Sequence, residues 1–457
     1  MALNSSFHLF VSILLFLLPL IFSTSTTIPL TFFHSSSTRD PYKHLSHLAS
    51  LSISRAHHIK FPQKPSISTT PLAPHSYGAY SISLNFGTPP QSIPFIMDTG
   101  SDFVWFPCTK RYTCNNCSVT GQEIPSYIPK ASSSVQILGC MNPKCTWIHN
   151  TTDPSTRCKD CQLPNSANCK QMCPPYLILY GSGSTSGLTL VETLDLPNKK
   201  VPNVVVGCSL FSTHQPAGIA GFGRGVSSIP SQLGIKKFSY CLLSRNYDDS
   251  GKSSNLVLDG AYNSGKKTAI LSYTPLLKNP LVPETKSLSV YYYVGLRKIT
   301  VGGQKVKIPY KFLIPDDKGN GGTIVDSGTT LSYMSYDVFE SVLKAFSDQV
   351  KYFKRDVEIE TQIGLKPCFN ISGHEKVSFP DLIFHFKGGA EMKLPLANYF
   401  AGVGNDVVCL AMVSSNFYGS DLFNGPSIIL GSFQMQNYQV EFDLKNERFG
   451  FKQQLCK

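Results

Sequence analysis

Two short segments hold residues with the type and spacing for hydrolytic chemistry. Residues 94–106 read PFIMDTGSDFVWF and residues 321–334 read GGTIVDSGTTLSYM. In each, an apolar run ends on a carboxylate, Asp98 or Asp326, followed by Thr or Ser, then Gly, then Ser or Thr. Burying a lone carboxylate is costly unless it is paired and hydrogen-bonded. Either motif alone reads as a strand-ending turn, because Asp, Gly and Ser are turn residues. One copy in each half of a 457-residue chain points instead to a duplicated architecture with a site at the join.

Two carboxylates brought together cannot both ionise cheaply, so they share a proton and titrate as a pair. The ionised member can take a proton from water. The protonated member can hydrogen-bond to a carbonyl and stabilise the developing oxyanion. No metal, cofactor or covalent nucleophile is needed. Gly100 and Gly328 let the two loops approach closely. The hydroxyls of Ser101 and Thr329 can donate to the outer carboxylate oxygens, and those of Thr99 and Ser327 can bond across the loops.

Positioning these loops requires strands, and strands dominate the pattern. Tyr80, Ile82, Leu84 and Phe86 alternate with Ser81, Ser83 and Asn85, predicting a half-buried strand. Residues 301–306, VGGQKV, predict a hairpin around Gly302-Gly303. Helical signals are few. The stripe Val338, Val342, Leu343, Phe346 and Val350 predicts a helix with Ser335 as its cap. A short helix in SSIPSQLGI stops near Gly234. This is an all-β chain with few short helices.

Composition bounds the rest. Charged residues are 15%, and the net charge of +12 comes from scattered Lys and Arg. Without a basic helix or run, the charge reads as solvated surface and predicts no nucleic-acid partner. Residues 7–22 are apolar and are followed by small residues, the pattern of a signal peptide spanning 1–25. No later stretch is long and apolar enough to span a bilayer. Fourteen cysteines behind such a signal predict disulfides. Nine of them fall between Cys108 and Cys173, in a polar, irregular stretch that reads as a disulfide-stapled insertion. Sequons at Asn116, Asn150 and Asn370 are candidate glycosylation sites. Before Tyr77 lies a segment with Arg39, Lys43, Arg55, Lys60 and Lys64, several His and one acid, Asp40, ending in a Pro/Ser/Thr linker. It reads as a propeptide over 26–75 that covers an acidic cleft.

From Tyr77 to Lys457 the chain resembles the pepsin-like aspartic proteases, most closely the plant nepenthesin-like branch. The likeness rests on YSISLNFGTPPQSIPFIMDTGSDFVWFPC, LILYGSGST, AGIAGFGRG, TIVDSGTTLSYM and SIILGSFQMQNYQVEFDLKNERFGF. It implies a bilobal pepsin-like fold, with an N-terminal lobe over 76–270 carrying the cysteine-rich insertion and a C-terminal lobe over 271–457. It implies Asp98 and Asp326 as the catalytic pair. Ile219-Ala220-Gly221 and Ile429-Leu430-Gly431 would thread beside them. Tyr180, Gly181, Ser182 and Gly183 would form the flap, with the Trp105 N–H fixing the Tyr180 hydroxyl. Ser182 departs from the Asp that many nepenthesin-like flaps carry, which bears on subsite preference and pH profile. The same likeness suggests the pairs Cys368–Cys409 and Cys241–Cys456. The expected protein is a secreted, monomeric, acid-active endopeptidase, in the apoplast, the cell wall or the vacuole. It needs no cofactor or metal, and its partners are peptide substrates and its own propeptide. The alternative is an inactive binding or inhibitor protein of the same fold, since plant xylanase inhibitors are similar to this family.

Overall fold

The computed structural model describes residues 25–32, 40–60, 79–117, 124–149, 153–159, 161, 169–181, 183–244, 253–259, 270–282, 286–404, 406–414 and 425–456. Two β-rich lobes share one extended sheet. In it, the C-terminal strands Tyr438–Asp443 and Arg448–Gln453 lie beside Lys237–Cys241. Next come Ser253–Leu258, Thr26–Phe32 and Tyr80–Phe86. The sheet runs on through Gln91–Asp98, Gly218–Gly221 and Trp105–Pro107 into the long strands Gly183–Leu196 and Lys199–Thr213. A separate five-stranded sheet in the second lobe centres on Ile428–Leu430, between Thr323–Val325 and Ser332–Met334.

The alternating strand forms over Tyr80–Phe86, with Ile82, Leu84 and Phe86 buried and Ser83 and Asn85 exposed. Ser81 is buried as well. The strand Thr26–Phe32 pairs with this edge, and Thr31 places its hydroxyl 2.9 Å from that of Ser81. The 301–306 hairpin pairs Thr300 with Lys305 and Val301 with Gln304, with Gly302 and Gly303 at positive φ. The short helix Ile229–Leu233 ends on Gly234 in the left-handed region.

The stripe from Val338 forms the helix Tyr336–Gln349 and buries Val338, Phe339, Val342, Leu343 and Phe346. Ser335 precedes it, but its hydroxyl does not cap the helix. Its backbone N–H is instead bound to the Ser427 carbonyl at 2.7 Å, which ties the helix start to the second-lobe sheet.

A twenty-residue helix, Pro41–Lys60, lies within the segment read from sequence as a propeptide, for which no helix was predicted. Its start is set locally, and its buried stripe docks on the second lobe. Asp40 accepts the N–H of Tyr42 at 3.0 Å as a cap, and Pro41 takes the first helical position. Leu45, Leu48, Ala49, Ser52, Ala56 and Ile59 then recur at helical spacing and are all buried. The apolar part of this stripe joins one core cluster with Tyr291, Leu331, Ile363 and Val403 of the second lobe. None of the described helices is long and apolar enough to cross a membrane.

Seven disulfides take up all fourteen cysteines. Cys108–Cys208 ties the start of the insertion to the flap sheet. Within it lie Cys114–Cys117, Cys140–Cys158, Cys145–Cys173 and Cys161–Cys169. Cys241–Cys456 joins the interlobe strand to the C-terminus, and Cys368–Cys409 bridges neighbouring strands of the second lobe.

Candidate active site

Each acidic loop grows from a strand that a second strand shadows. Gln91–Asp98 runs parallel to Gly218–Gly221, with Gly221 level with Asp98. Thr323–Val325 runs parallel to Ile428–Leu430. In the first lobe the third strand pairs Trp105 with Ile219; in the second it pairs Tyr333 with Ile429. The two lobes thus repeat one local design, as duplicated sequence segments should.

The two loops meet. Thr99 N–H donates to Ser327 Oγ at 3.0 Å, and Ser327 N–H donates to Thr99 Oγ1 at 2.8 Å. Ser327 Oγ–H donates to the Met97 carbonyl at 2.9 Å, and Thr99 Oγ1–H to the Val325 carbonyl at 3.3 Å. All four groups are buried, so the lock is anchored on both backbones. A Cβ on Gly328 would lie 2.3 Å from Asp98 Oδ1, and one on Gly100 would lie 2.5 Å from Asp326 Oδ1. No residue with a side chain fits at either position without moving a carboxylate.

Asp98 and Asp326 are 1% and 0% exposed. Asp98 accepts from the Gly100 N–H at 2.9 Å and from the Ser101 hydroxyl at 2.6 Å. Asp326 accepts from the Gly328 N–H at 2.8 Å and the Thr329 hydroxyl at 2.7 Å. Between them stands Arg55, from the helix Pro41–Lys60. Its Nη2 lies 2.8 and 3.0 Å from the two oxygens of Asp98, and its Nε lies 3.2 Å from Asp326 Oδ2. One planar guanidinium therefore touches both acids. Burial opposes the charge on Asp98, but Arg55, Ser101 and Gly100 together hold its pKa below the usual carboxylate value. Burial and the neighbouring Asp98 carry Asp326 up to about 6, against the pull of Arg55. Burial also opposes the charge on Arg55, and the two acids outweigh it and hold the guanidinium protonated.

The flap hairpin joins Tyr176–Tyr180 to Gly183–Leu196, with Tyr180 opposite Gly183. Trp105 Nε1–H donates to the Tyr180 hydroxyl at 2.9 Å. Burial, with the nearby Asp98, raises the Tyr180 pKa well above its ordinary value, so the phenol stays neutral. The turn of this hairpin presses on the helix Pro41–Lys60: a Cβ on Gly181 would lie 2.3 Å from the Arg55 Cα. The helix therefore passes directly between flap and acids. Ser52 strengthens this docking by accepting the Leu331 N–H at 2.9 Å.

Of the other residues singled out from sequence, Asn116 is exposed. Asn370 is half-buried, its Oδ1 accepting from the Ser372 N–H and hydroxyl at 2.9 and 2.6 Å. Ser182 and Asn150 lie outside the described residues. The contact of Arg55 with the acid pair was not read from sequence. The available signal was a basic residue lying between the buried Ser52 and Ala56 of an apolar stripe.

Residues 80–258 match the family described as Xylanase inhibitor N-terminal, and residues 291–453 match Xylanase inhibitor C-terminal. A probable aspartyl protease of Arabidopsis thaliana is 32% identical over 422 residues, covering 82% of each chain. Aspartic proteinase nepenthesin-2 of Nepenthes gracilis is 35% identical over 385 residues, covering 83% of this chain and 78% of its own. Among solved structures, the crystal structure of edgp superposes with a TM-score of 0.66 at 19% identity, covering 95% of both chains. Basic 7S globulin from soybean does so with a TM-score of 0.59 at 20% identity, over 84% of this chain and 94% of that one. At such identities these two structures speak to the fold alone.

Proposed function

The chain belongs to the nepenthesin-like aspartic proteases of plants and is an aspartic-type endopeptidase; from that premise we propose that Asp98 and Asp326 together activate water against a substrate peptide bond. The observation that carries this reading is that one guanidinium spans both carboxylates. A group of that size marks a gap that a water molecule, or a hydrated peptide carbonyl, can bridge. With the prosegment displaced, ionised Asp98 takes a proton from the bridging water, whose oxygen attacks the carbonyl carbon. Protonated Asp326 donates to the carbonyl oxygen, giving a neutral gem-diol. The proton held on Asp98 then passes to the nitrogen, the C–N bond breaks, and a diol hydroxyl returns its proton to Asp326. Tyr180, held by Trp105, closes over the substrate from the flap side.

The same reading makes residues 26–75 a propeptide. At neutral pH Arg55 neutralises the pair and the helix fills the cleft; in acid the carboxylates protonate and that attraction weakens. Residues 1–25 would direct secretion, which suits seven disulfides. Glycosylation at the three sequons, an extracellular or vacuolar address and a monomeric state belong to this proposal. The test is digestion of casein or haemoglobin at acid pH by the acid-treated full chain, with and without pepstatin, beside Asp98→Asn. Activity lost under both blocks is expected. Activity that survives either block rejects the pair as the catalyst.

A second reading is motivated by the description of the matched family as xylanase inhibitor. A binding protein of this fold has no need of paired acids, matched donors and a flap tyrosine. Absence of proteolysis at every pH after prosegment removal, with retained binding to a xylanase, would favour it.

A further inference from the structure

Beside Asp98, a small cavity of about 50 Å³ lies between the helix Pro41–Lys60, the Asp326 loop and five first-lobe residues, Ala79, Ile96, Ile219, Tyr180 and Gln215. Four of these present carbon surface or a phenol already engaged by Trp105. Gln215 is different. It is 3% exposed, and its Nε2 has no hydrogen-bond partner among the described residues. Its backbone is fixed, since its carbonyl accepts the Tyr112 hydroxyl at 3.0 Å and the Ser212 hydroxyl at 2.8 Å. The prosegment does not satisfy it. Ser52, which borders the same cavity, spends its hydroxyl on the Leu48 carbonyl and the Leu331 N–H. An orphaned buried amide is expensive, and a ligand that supplies an acceptor recovers that cost.

We propose that Gln215 is a specificity residue, whose amide selects a substrate side chain ending in an amide or carboxyl oxygen in the pocket beside Asp98. The methylenes of a Gln or Glu side chain would lie on Ile96 and Ile219, and its terminal oxygen would accept from Gln215 Nε2. A methionine of the same length would fill the space but leave the donor unpaired. The pocket therefore discriminates by hydrogen bonding within an apolar wall, which gives larger ratios than shape alone. This inference rests on the cleft being a peptidase site, and the experiment separates the two.

Peptide pairs that differ only by Gln or Met at the residue entering this pocket are presented to the acid-treated full chain. Cleavage is read as kcat/KM. Binding of labelled, non-cleavable reduced-amide versions is read by fluorescence polarisation, which needs no turnover. The wild-type protein should favour Gln about ten-fold in both readouts. Gln215→Met, which keeps the volume, should abolish or reverse the preference in both readouts. Equal affinity for Gln and Met peptides in the wild-type protein would overturn the assignment, and so would a preference that persists in Gln215→Met. Selective binding without cleavage would keep the pocket and reject the peptidase reading. Cleavage without selectivity would do the reverse.

Discussion

The two lobes hold their acids in nearly matching cradles. Each carboxylate takes one N–H from a glycine two residues on and one hydroxyl three residues on. Each loop also lends a hydroxyl to the other backbone. Yet Asp98 is held below the ordinary carboxylate range while Asp326 is carried up to about 6. The difference lies outside the cradles. Arg55 gives two contacts to Asp98 and one to Asp326. The strand seven residues on also diverges: Trp105 fixes the Tyr180 hydroxyl, whereas Tyr333 meets Lys60 of the helix Pro41–Lys60, 3.3 Å from its hydroxyl. The duplicated frame sets the geometry, and the docked Arg55 adds an asymmetry to it, with two contacts to Asp98 and one to Asp326 while the helix is in place.

The comparison can be broken most forcefully at its asymmetric element. Arg55→Met should free the cleft of the full chain at neutral pH. Removing one partner of a buried ion pair leaves uncompensated charge, a loss of about 3–5 kcal/mol, or roughly a hundred-fold or more in docking. The check is binding of a fluorescent pepstatin analogue to the untreated chain. Latency equal to wild type would remove Arg55 from the account.

Next in size are the symmetric hydroxyls. Thr99→Val and Ser327→Ala each orphan a buried N–H and should each cost about 1–3 kcal/mol in chemical denaturation. The two-fold design predicts similar losses from the two. A loss confined to one lobe would show that the lock is not shared.

The seven-residue counterparts sharpen the asymmetry. Trp105→Phe should lower kcat/KM on acid-activated protein about ten-fold by releasing Tyr180. Tyr333→Phe should leave kcat/KM unchanged and weaken only prosegment retention. Equal effects on kcat/KM would contradict the division of labour.

The smallest expected effect is on pH dependence. Burial, then Arg55 and His57, depress His58 in the docked helix from the ordinary 6.5 to about 4. A depressed pKa means that docking favours neutral His58. Its contribution is complete above about 6.5 and is lost as pH falls toward about 4. His58→Gln should therefore flatten prosegment release across that window, followed by tryptic accessibility of the linker. An unchanged release profile would leave the carboxylates as the only trigger.

Much of this site was legible in the sequence because the duplication repeats a rare residue pattern. Asp98, Asp326 and their flanking hydroxyls follow from the repeated motif, while the Trp105–Tyr180 contact was implied by the resemblance to the pepsin-like family. The helix Pro41–Lys60 was not read, although its stripe of Leu45, Leu48, Ala49, Ser52, Ala56 and Ile59 is present. Its basic, His-rich composition masks the periodicity, and its stability comes from a surface supplied by residues such as Ile363 and Val403, far along the chain. Ser335 shows the converse. Its type predicts a cap, but the Ser427 carbonyl claims its N–H and sets the helix start instead. Gln215 carries no motif at all. Its meaning depends on an unpaired atom in a cavity, which only packing reveals.

The most direct test of the central claim is a double-mutant cycle at the acids, reading kcat/KM on a fluorogenic peptide for acid-treated wild type, Asp98→Asn, Asp326→Asn and the double variant. If the two acids work as one proton-sharing unit, each single change should lower the rate by roughly a thousand-fold or more, and the double change should add little. Losses that simply multiply, or either single variant retaining near wild-type activity, would contradict the account.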